Sequence, residues 1–235
     1  MEETRKSRSS EAFFGRRKGP KLQGRKQRLI DEQLPKLALD LTQPCPSEVS
    51  QLFGTGPERL HLEIGFGGGE HLAHQATQNP TTGHMGVEPF INGMAKMLGE
   101  IDDRNLQNVR LFGDDATLLL DWLPPDSLDQ VDLLYPDPWP KKRHWKRRFV
   151  NRTNLDRICR VLKPGGMFRF ASDIETYVNW TLVQVHNQGQ LKWQAKSSED
   201  WNKPWSGWVR TRYEAKAIRE GRTPCYLIFR LPNGS

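Results

Sequence analysis

The chain has 235 residues, 36% hydrophobic and 27% charged, a length that gives one α/β domain with an arm or two small domains at most. No run approaches the ~20 apolar residues that cross a bilayer, the N-terminus lacks the continuous apolar stretch of a secretory signal, and Cys45, Cys159 and Cys225 form no CxxC pair. A membrane protein, an exported protein, a disulfide framework and a metal knuckle are therefore not expected, and a reducing cytoplasm fits. Lys and Arg number 35 against 28 Asp and Glu, a net charge of +7, but the excess is concentrated. Residues 1–30 hold ten basic residues against Glu2, Glu3 and Glu11, and residues 141–152 hold seven and no acid. Two such patches attract a polyanion with an affinity that falls steeply with salt, so nucleic acid is the first candidate. Either patch alone reads more simply as a solvated tail or a charged helix start.

Taken in chain order, residues 1–30 lack apolar period and read as a flexible basic arm that orders on binding. Residues 31–58 supply a leading helix, over 31–42 and interrupted by Pro35, and then a Pro/Gly/Ser-rich connector. The main domain spans 59–235. Within it, strands are expected at 60–64, 84–88, 109–112, 131–135 and 167–172, with helices at 70–79, 90–102 and 116–122, a further one ending at Leu162, and one at 174–186. Lys163-Pro164-Gly165-Gly166 reads as the turn before the fifth strand. Strand followed by helix, repeated five times, implies a parallel sheet with helices on both faces and right-handed crossovers. Beyond Gly189 the pattern loosens around Trp193, Trp201, Trp205 and Trp208, before a helix at 211–221 and a last strand at 225–230.

The first strand ends in Glu63-Ile64-Gly65-Phe66-Gly67-Gly68-Gly69-Glu70. Gly65, Gly67 and Gly69 let the backbone turn sharply and approach a ligand. A dinucleotide fingerprint needs glycine at position 70; Glu70 stands there and would repel a pyrophosphate at the helix start. The alternative spacing E-x-G-x-G-x-G suits a nucleoside that carries an amino acid and a sulfonium, as S-adenosylmethionine does. Glu88, closing the second strand, is placed to accept ribose hydroxyls, and Asp115, after the third, to accept from an adenine amino group. Each acid alone reads as a helix cap. Three at the carboxyl ends of successive strands fit a ligand better, because that is where open α/β sheets bind.

The fourth strand runs into Tyr135-Pro136-Asp137-Pro138-Trp139-Pro140 and the basic stretch Lys141 to Arg148. Prolines stiffen this loop, Trp139 offers a stacking face, and Asp137 sets a carboxylate beside it. The basic residues can hold phosphates while the loop handles a base, which separates positioning from recognition.

These motifs, LEIGFGGGEHL, GVEPF, YPDPWPKKRHWKRRFV, FASDIETY and TRYEAKAIREG, together resemble the bacterial tRNA (guanine-N7)-methyltransferases, and FFGRRKGP in the arm resembles a basic motif of the same family. The resemblance implies a class I S-adenosylmethionine-dependent methyltransferase, Rossmann-like, with a mostly parallel seven-stranded α/β sheet. It implies that Glu63, Glu88, Asp115 and Asp137 contact S-adenosylmethionine, that Asp137 is catalytic, and that Lys141, Asp173, Thr211, Arg212, Tyr213 and Glu214 hold the substrate. Arg143, His144, Trp145, Lys146, Arg147 and Arg148 match the family's RNA-interacting stretch. The implied partner is tRNA, methylated at guanosine 46 of the variable loop, by a monomer or homodimer without a metal. Guanine N7 already presents a lone pair, so its methylation needs orientation and a carboxylate near the cationic product, not a general base. Alternatives are an NAD-dependent dehydrogenase, which Glu70 opposes, a methyltransferase acting on another base or on protein, and a non-catalytic RNA-binding subunit, which the intact acidic set opposes.

Overall fold

In the computed structural model, which describes residues 15–233, α1 (Arg25–Glu32) and α2 (Leu34–Leu37) precede the sheet. Strands and helices then alternate: β1 (Arg59–Ile64), α3 (Glu70–Gln78), β2 (Thr82–Val87), α4 (Ile91–Arg104), β3 (Val109–Phe112), α5 (Ala116–Trp122), β4 (Leu128–Leu134), α6 (Arg152–Val161), β5 (Leu162–Ser172) and α7 (Glu175–Gln188). β6 (Lys192–Trp193), α8 (Glu199–Asn202), α9 (Arg212–Arg219) and β7 (Cys225–Arg230) follow. The seven strands lie in the order β3-β2-β1-β4-β5-β7-β6. β1 to β5 run parallel, and β7 is antiparallel to both of its neighbours. Because β1 pairs with β2 on one side and β4 on the other, the chain leaves β1 and β4 in opposite directions and opens a crevice beyond their carboxyl ends.

Apolar side chains fill both faces. Leu62, Ile64, Val131, Leu133, Phe168, Phe170 and Tyr177 belong to one cluster, and Leu72, Met94, Met97 and Leu98 to a second. Set among them is a buried ionic row. Register places Glu63 opposite Asp132 and Asp132 opposite Arg169 on three adjacent strands. The Arg169 fork donates to both Asp132 oxygens at 2.7 and 2.6 Å, and Gln130 adds a bond of 3.0 Å. Burial would push the Asp132 carboxyl upward, but Arg169 outweighs it and holds the pKa below the ordinary value.

Three segments differ from the sequence reading. α1 begins inside the segment expected as a flexible arm and runs two residues past it: Leu29 is buried in the α4 cluster, and Arg25 pairs with Asp102 at 2.7 Å and Asp103 at 2.5 Å. Basic composition masks this short apolar stripe. The helix expected over 31–42 is two pieces, with Pro35 in the first turn of α2, where its missing N–H leaves no helical bond unmade. Lys163 to Gly166 is no free turn but the irregular start of β5. Its register against β4 shifts between Leu128 and Gln130, and Gly165 and Gly166 exchange backbone bonds with Leu231. Residues 1–14, including Phe13 and Phe14 of the arm motif, lie outside the described residues. Among the described residues no helix is long and apolar enough to cross a membrane.

Candidate cofactor and RNA site

The loop after β1 is shaped by its missing side chains. Gly65, Gly67 and Gly69 sit at φ 73°, 60° and 85°, a region that other residues enter only at a cost. The first turn of α4 presses against this loop, so a Cβ on Gly93 would fall 2.2 Å from the Gly67 carbonyl oxygen. Glu70 folds back over Gly68, placing a carboxylate at the start of α3 where a pyrophosphate would need bare N–H groups.

Glu88 follows β2 and braces the loop. One carboxylate oxygen accepts the Gly67 N–H at 2.7 Å and the other the Phe90 N–H at 2.9 Å. A carboxylate offers about four lone-pair sites, so each oxygen keeps capacity for one more donor, as a ribose diol requires. Burial, with the Asp137 charge adding to it, raises the Glu88 pKa against the bonds it accepts. Asp115 caps α5, and its Oδ1 accepts from the Thr117 N–H and hydroxyl, each at 2.9 Å. That leaves Oδ2 to accept from a ligand. Glu63 is instead buried and paired with His71 Nδ1 at 2.8 Å. The glycine cradle and the spare capacity of Glu88 and Asp115 fit S-adenosylmethionine.

The loop after β4 is held by its side chains. Tyr135 and Trp139, which bracket Asp137, adopt φ 50° and 45°. Such a conformation costs a bulky residue about 1–3 kcal/mol and persists only where the surroundings impose it. Tyr135 packs in a cluster with Leu134, Ala171, Tyr226, Trp205 and Trp208. Trp139 is met by the His144 ring edge-on at 6.1 Å and by the Arg147 guanidinium at 4.9 Å. Asp137 reaches solvent, yet the protein crowding it raises its pKa. β2, β1 and β4 are neighbouring parallel strands, so the carboxylates that follow β2 and β4 stand at the same end of the sheet.

The basic run divides. Lys141, Lys142, Arg143 and Lys146 are exposed, whereas His144, Trp145 and Arg147 are half-buried. Arg148, expected among the RNA-facing residues, is 1% exposed. Trp145 likewise packs inward, 5.7 Å from Trp180 and 4.6 Å from the Arg148 guanidinium. Burial lowers the His144 pKa, and the surrounding cations lower it further.

The remaining sequence candidates fall into two groups. Thr211 caps α9 by accepting the Glu214 N–H at 3.1 Å, the T-x-x-E spacing of a capping box. Glu214 is buried and accepts from Trp208 Nε1 at 2.7 Å and from the Tyr226 hydroxyl. Asp173 is paired with Arg222. Arg212 and Tyr213 instead reach the glycine loop, where a Cβ on Gly67 would meet Tyr213 at 3.2 Å and Arg212 at 3.4 Å. The segment before α9 lies across α3 as well, with Gln75 donating to the Gly207 carbonyl at 2.8 Å and the His71 and Trp208 rings 5.2 Å apart. Sequence reasoning missed His71 and Trp208. No spacing rule marks the first, and the second lay among four tryptophans without a partner to single it out.

A methyltransferase family model matches residues 57–227. The tRNA (guanine-N(7)-)-methyltransferase of Rhizobium meliloti (strain 1021) is 57% identical over 230 residues, covering 98% of this chain and 99% of its own. That of Mesorhizobium japonicum (strain LMG 29417 / CECT 9101 / MAFF 303099) is 59% identical over 225 residues, with 96% and 97% covered. Among solved structures, the 16S rRNA methyltransferase KamB superposes with a TM-score of 0.58 at 16% identity, over 81% of this chain and 95% of that one. That likeness shows the class I S-adenosylmethionine-dependent methyltransferase fold. The full-length identities go further, and this chain belongs to the tRNA (guanine-N(7)-)-methyltransferase family.

Proposed function

We propose that the protein methylates N7 of a guanine in tRNA, guanosine 46 of the variable loop, with Asp137 at the point of transfer. The observation that carries this reading is the convergence of three loops at the carboxyl ends of the neighbouring parallel strands β2, β1 and β4: Glu88 after β2 bonds the glycine loop after β1, and the Asp137 loop follows β4 beside them. When bound, S-adenosylmethionine supplies an electrophilic methyl group. Glu88 accepts the ribose hydroxyls with the lone pairs its backbone bonds leave free, and Asp115 Oδ2 accepts the adenine amino group. Gly65, Gly67 and Gly69 keep side chains out of the cradle.

Guanine N7 needs no proton removed, so Asp137 has an electrostatic task. Its carboxylate faces the positive charge that the base acquires and stabilises it where the charge develops. Lys141 stands at the exposed start of the basic run, beside the Asp137 loop, and holds the substrate there. Asp173 and the α9 residues Thr211 to Glu214 frame the other side. Arg143 and Lys146, exposed, meet phosphates together with Arg147 and so position the tRNA without reading its sequence.

Incubation with methyl-labelled S-adenosylmethionine and unmodified tRNA, followed by mapping of the labelled base, tests the reading. Label at N7 of the variable-loop guanine is the expected result. Label on another atom or base, or none, overturns it.

A further inference from the structure

Arg148 is the one member of the basic run that faces no solvent, and its surroundings account for its guanidinium. Nε donates to the Pro138 carbonyl at 3.0 Å, Nη1 to the Thr176 carbonyl at 2.8 Å, and Nη2 to the Thr176 hydroxyl at 3.2 Å. Ring faces enclose the rest: Trp145 at 4.6 Å, Tyr177 at 4.7 Å and Trp180 at 5.7 Å. Carbonyl dipoles and aromatic quadrupoles carry its charge. A guanidinium suits this place because its planar fork bonds two segments at once while its faces stack; a lysine ammonium is a point charge that cannot do both.

The two segments it joins matter. Pro138 directly follows Asp137, and Thr176 lies in the first turn of α7. Pro138 lies within the loop whose bracketing residues, Tyr135 and Trp139, hold a left-handed backbone that needs external support.

We propose that Arg148 is a positioning residue for methyl transfer: its guanidinium fastens the Asp137 loop to the start of α7, and it makes no contact with RNA phosphate. The inference rests on Asp137 being the site of transfer. Arg148 acts through the backbone, since its guanidinium bonds the Pro138 and Thr176 carbonyls and the Thr176 hydroxyl. Loss of the fork therefore displaces the carboxylate.

The test compares Arg148→Lys, Arg148→Met, Lys146→Ala and Asp137→Asn in the full chain, with single-turnover rates at saturating tRNA and cofactor, and tRNA affinity across a salt series. Displacement of a reacting group by about 1 Å can cost on the order of 10²-fold. Arg148→Met is expected to lose roughly that in rate, and Arg148→Lys less, with wild-type tRNA affinity and salt slope in both. Lys146→Ala, on the exposed side, is expected to flatten the salt slope. A flattened slope in Arg148→Met with an unchanged rate overturns the proposal and makes Arg148 a phosphate contact. A slow Asp137→Asn beside a fast Arg148→Met overturns the strut alone, whereas a fast Asp137→Asn overturns the catalytic reading and the strut with it. Should Arg148→Met fail to fold, Thr176→Val decides. It removes one acceptor at nearly constant volume, and a two- to fivefold slower transfer at unchanged tRNA affinity is expected. An unchanged rate there overturns the proposal.

Discussion

The loops after β1 and β4 meet over the same crevice and are fixed there by opposite means. The first has no side chain at Gly65, Gly67 or Gly69, and its path is set by left-handed backbone and by the Glu88 carboxylate gripping the Gly67 N–H. The second carries prolines and a tryptophan, takes left-handed turns at Tyr135 and Trp139 despite their bulk, and is tied from beneath by Arg148. A loop that must admit a ligand closely gains from lacking atoms. One that must hold a charge in a set place gains from having many. The two loops thus divide the reaction into cofactor placement and charge placement, and a substitution in either one should disturb chiefly its half.

The sharpest break is Asp137→Asn, which keeps the shape of the loop and removes its charge. Single-turnover transfer at saturating cofactor should slow on the order of 10²–10³-fold, the scale for deleting one preorganised electrostatic group, a far larger loss than any in cofactor affinity measured by calorimetry. The pH profile adds a sign. Crowding raises the Asp137 pKa, so the wild-type rate should begin to fall on acidification at a higher pH than an ordinary carboxylate would give, and stay flat above neutrality. The mutant should lack that acid limb. A wild-type rate that keeps climbing to about pH 9 would instead point to proton abstraction.

Glu88→Ala breaks the other half. Hydrogen bonds to a charged group are worth about 1.5–3 kcal/mol, so cofactor affinity should drop roughly 10–150-fold with tRNA affinity unchanged. Because burial and Asp137 raise the Glu88 pKa, wild-type cofactor binding should weaken as pH falls, starting above the usual carboxylate range. A mutant that binds cofactor normally would remove Glu88 from the site.

How much of this was legible follows the same division. The glycine loop could be read because residue type alone dictates its backbone, and Glu88 and Asp115 stand at strand ends that the hydrophobic pattern had already marked. Val109–Phe112, Ala116–Trp122 and Cys225–Arg230 coincide with the expected elements. The Asp137 loop was legible as a motif but its support was not. Arg148 sits in a run of surface-type residues, and only the fold brings Thr176, Tyr177 and Trp180 around it. Glu214 illustrates the same limit. T-x-x-E carries a capping signature in the chain, yet its burial against Trp208 and Tyr226 depends on β7, which lies beyond it in sequence. β6 is two residues long and too short to leave a period.

A milder prediction concerns the outward side of the basic run. Every cation removed from a phosphate should lower the slope of log affinity against log salt by ~0.7–0.9, so the double substitution Arg143→Ala with Lys146→Ala should reduce it by ~1.4–1.8. Fluorescence anisotropy with labelled tRNA between about 50 and 200 mM salt reads this directly. An unchanged slope would mean that the exposed cations do not face the RNA.

The smallest effect separates the two loops by pH. The glycine loop is underpinned by the buried Glu63–His71 pair, close to Asp132 and Arg169 in the same ionic row, whereas the Asp137 loop is tied by a guanidinium that stays charged throughout. Burial disfavours charge on His71, but the Glu63 carboxylate outweighs it and holds the imidazole pKa above its ordinary 6.5. A group with a raised folded-state pKa contributes stability that is fully present below the unfolded value and is lost as pH rises through the folded one. Urea unfolding at a series of pH values should therefore show stability declining from about pH 6.5 upward, with amide protection falling at Phe66, Gly67 and Gly69 and holding at Tyr135, whose N–H donates to the Ala171 carbonyl. His71→Gln, which keeps a neutral donor beside Glu63, should flatten that decline. Equal loss of protection in the two loops would mean that they are supported in common, and the division between them would fail.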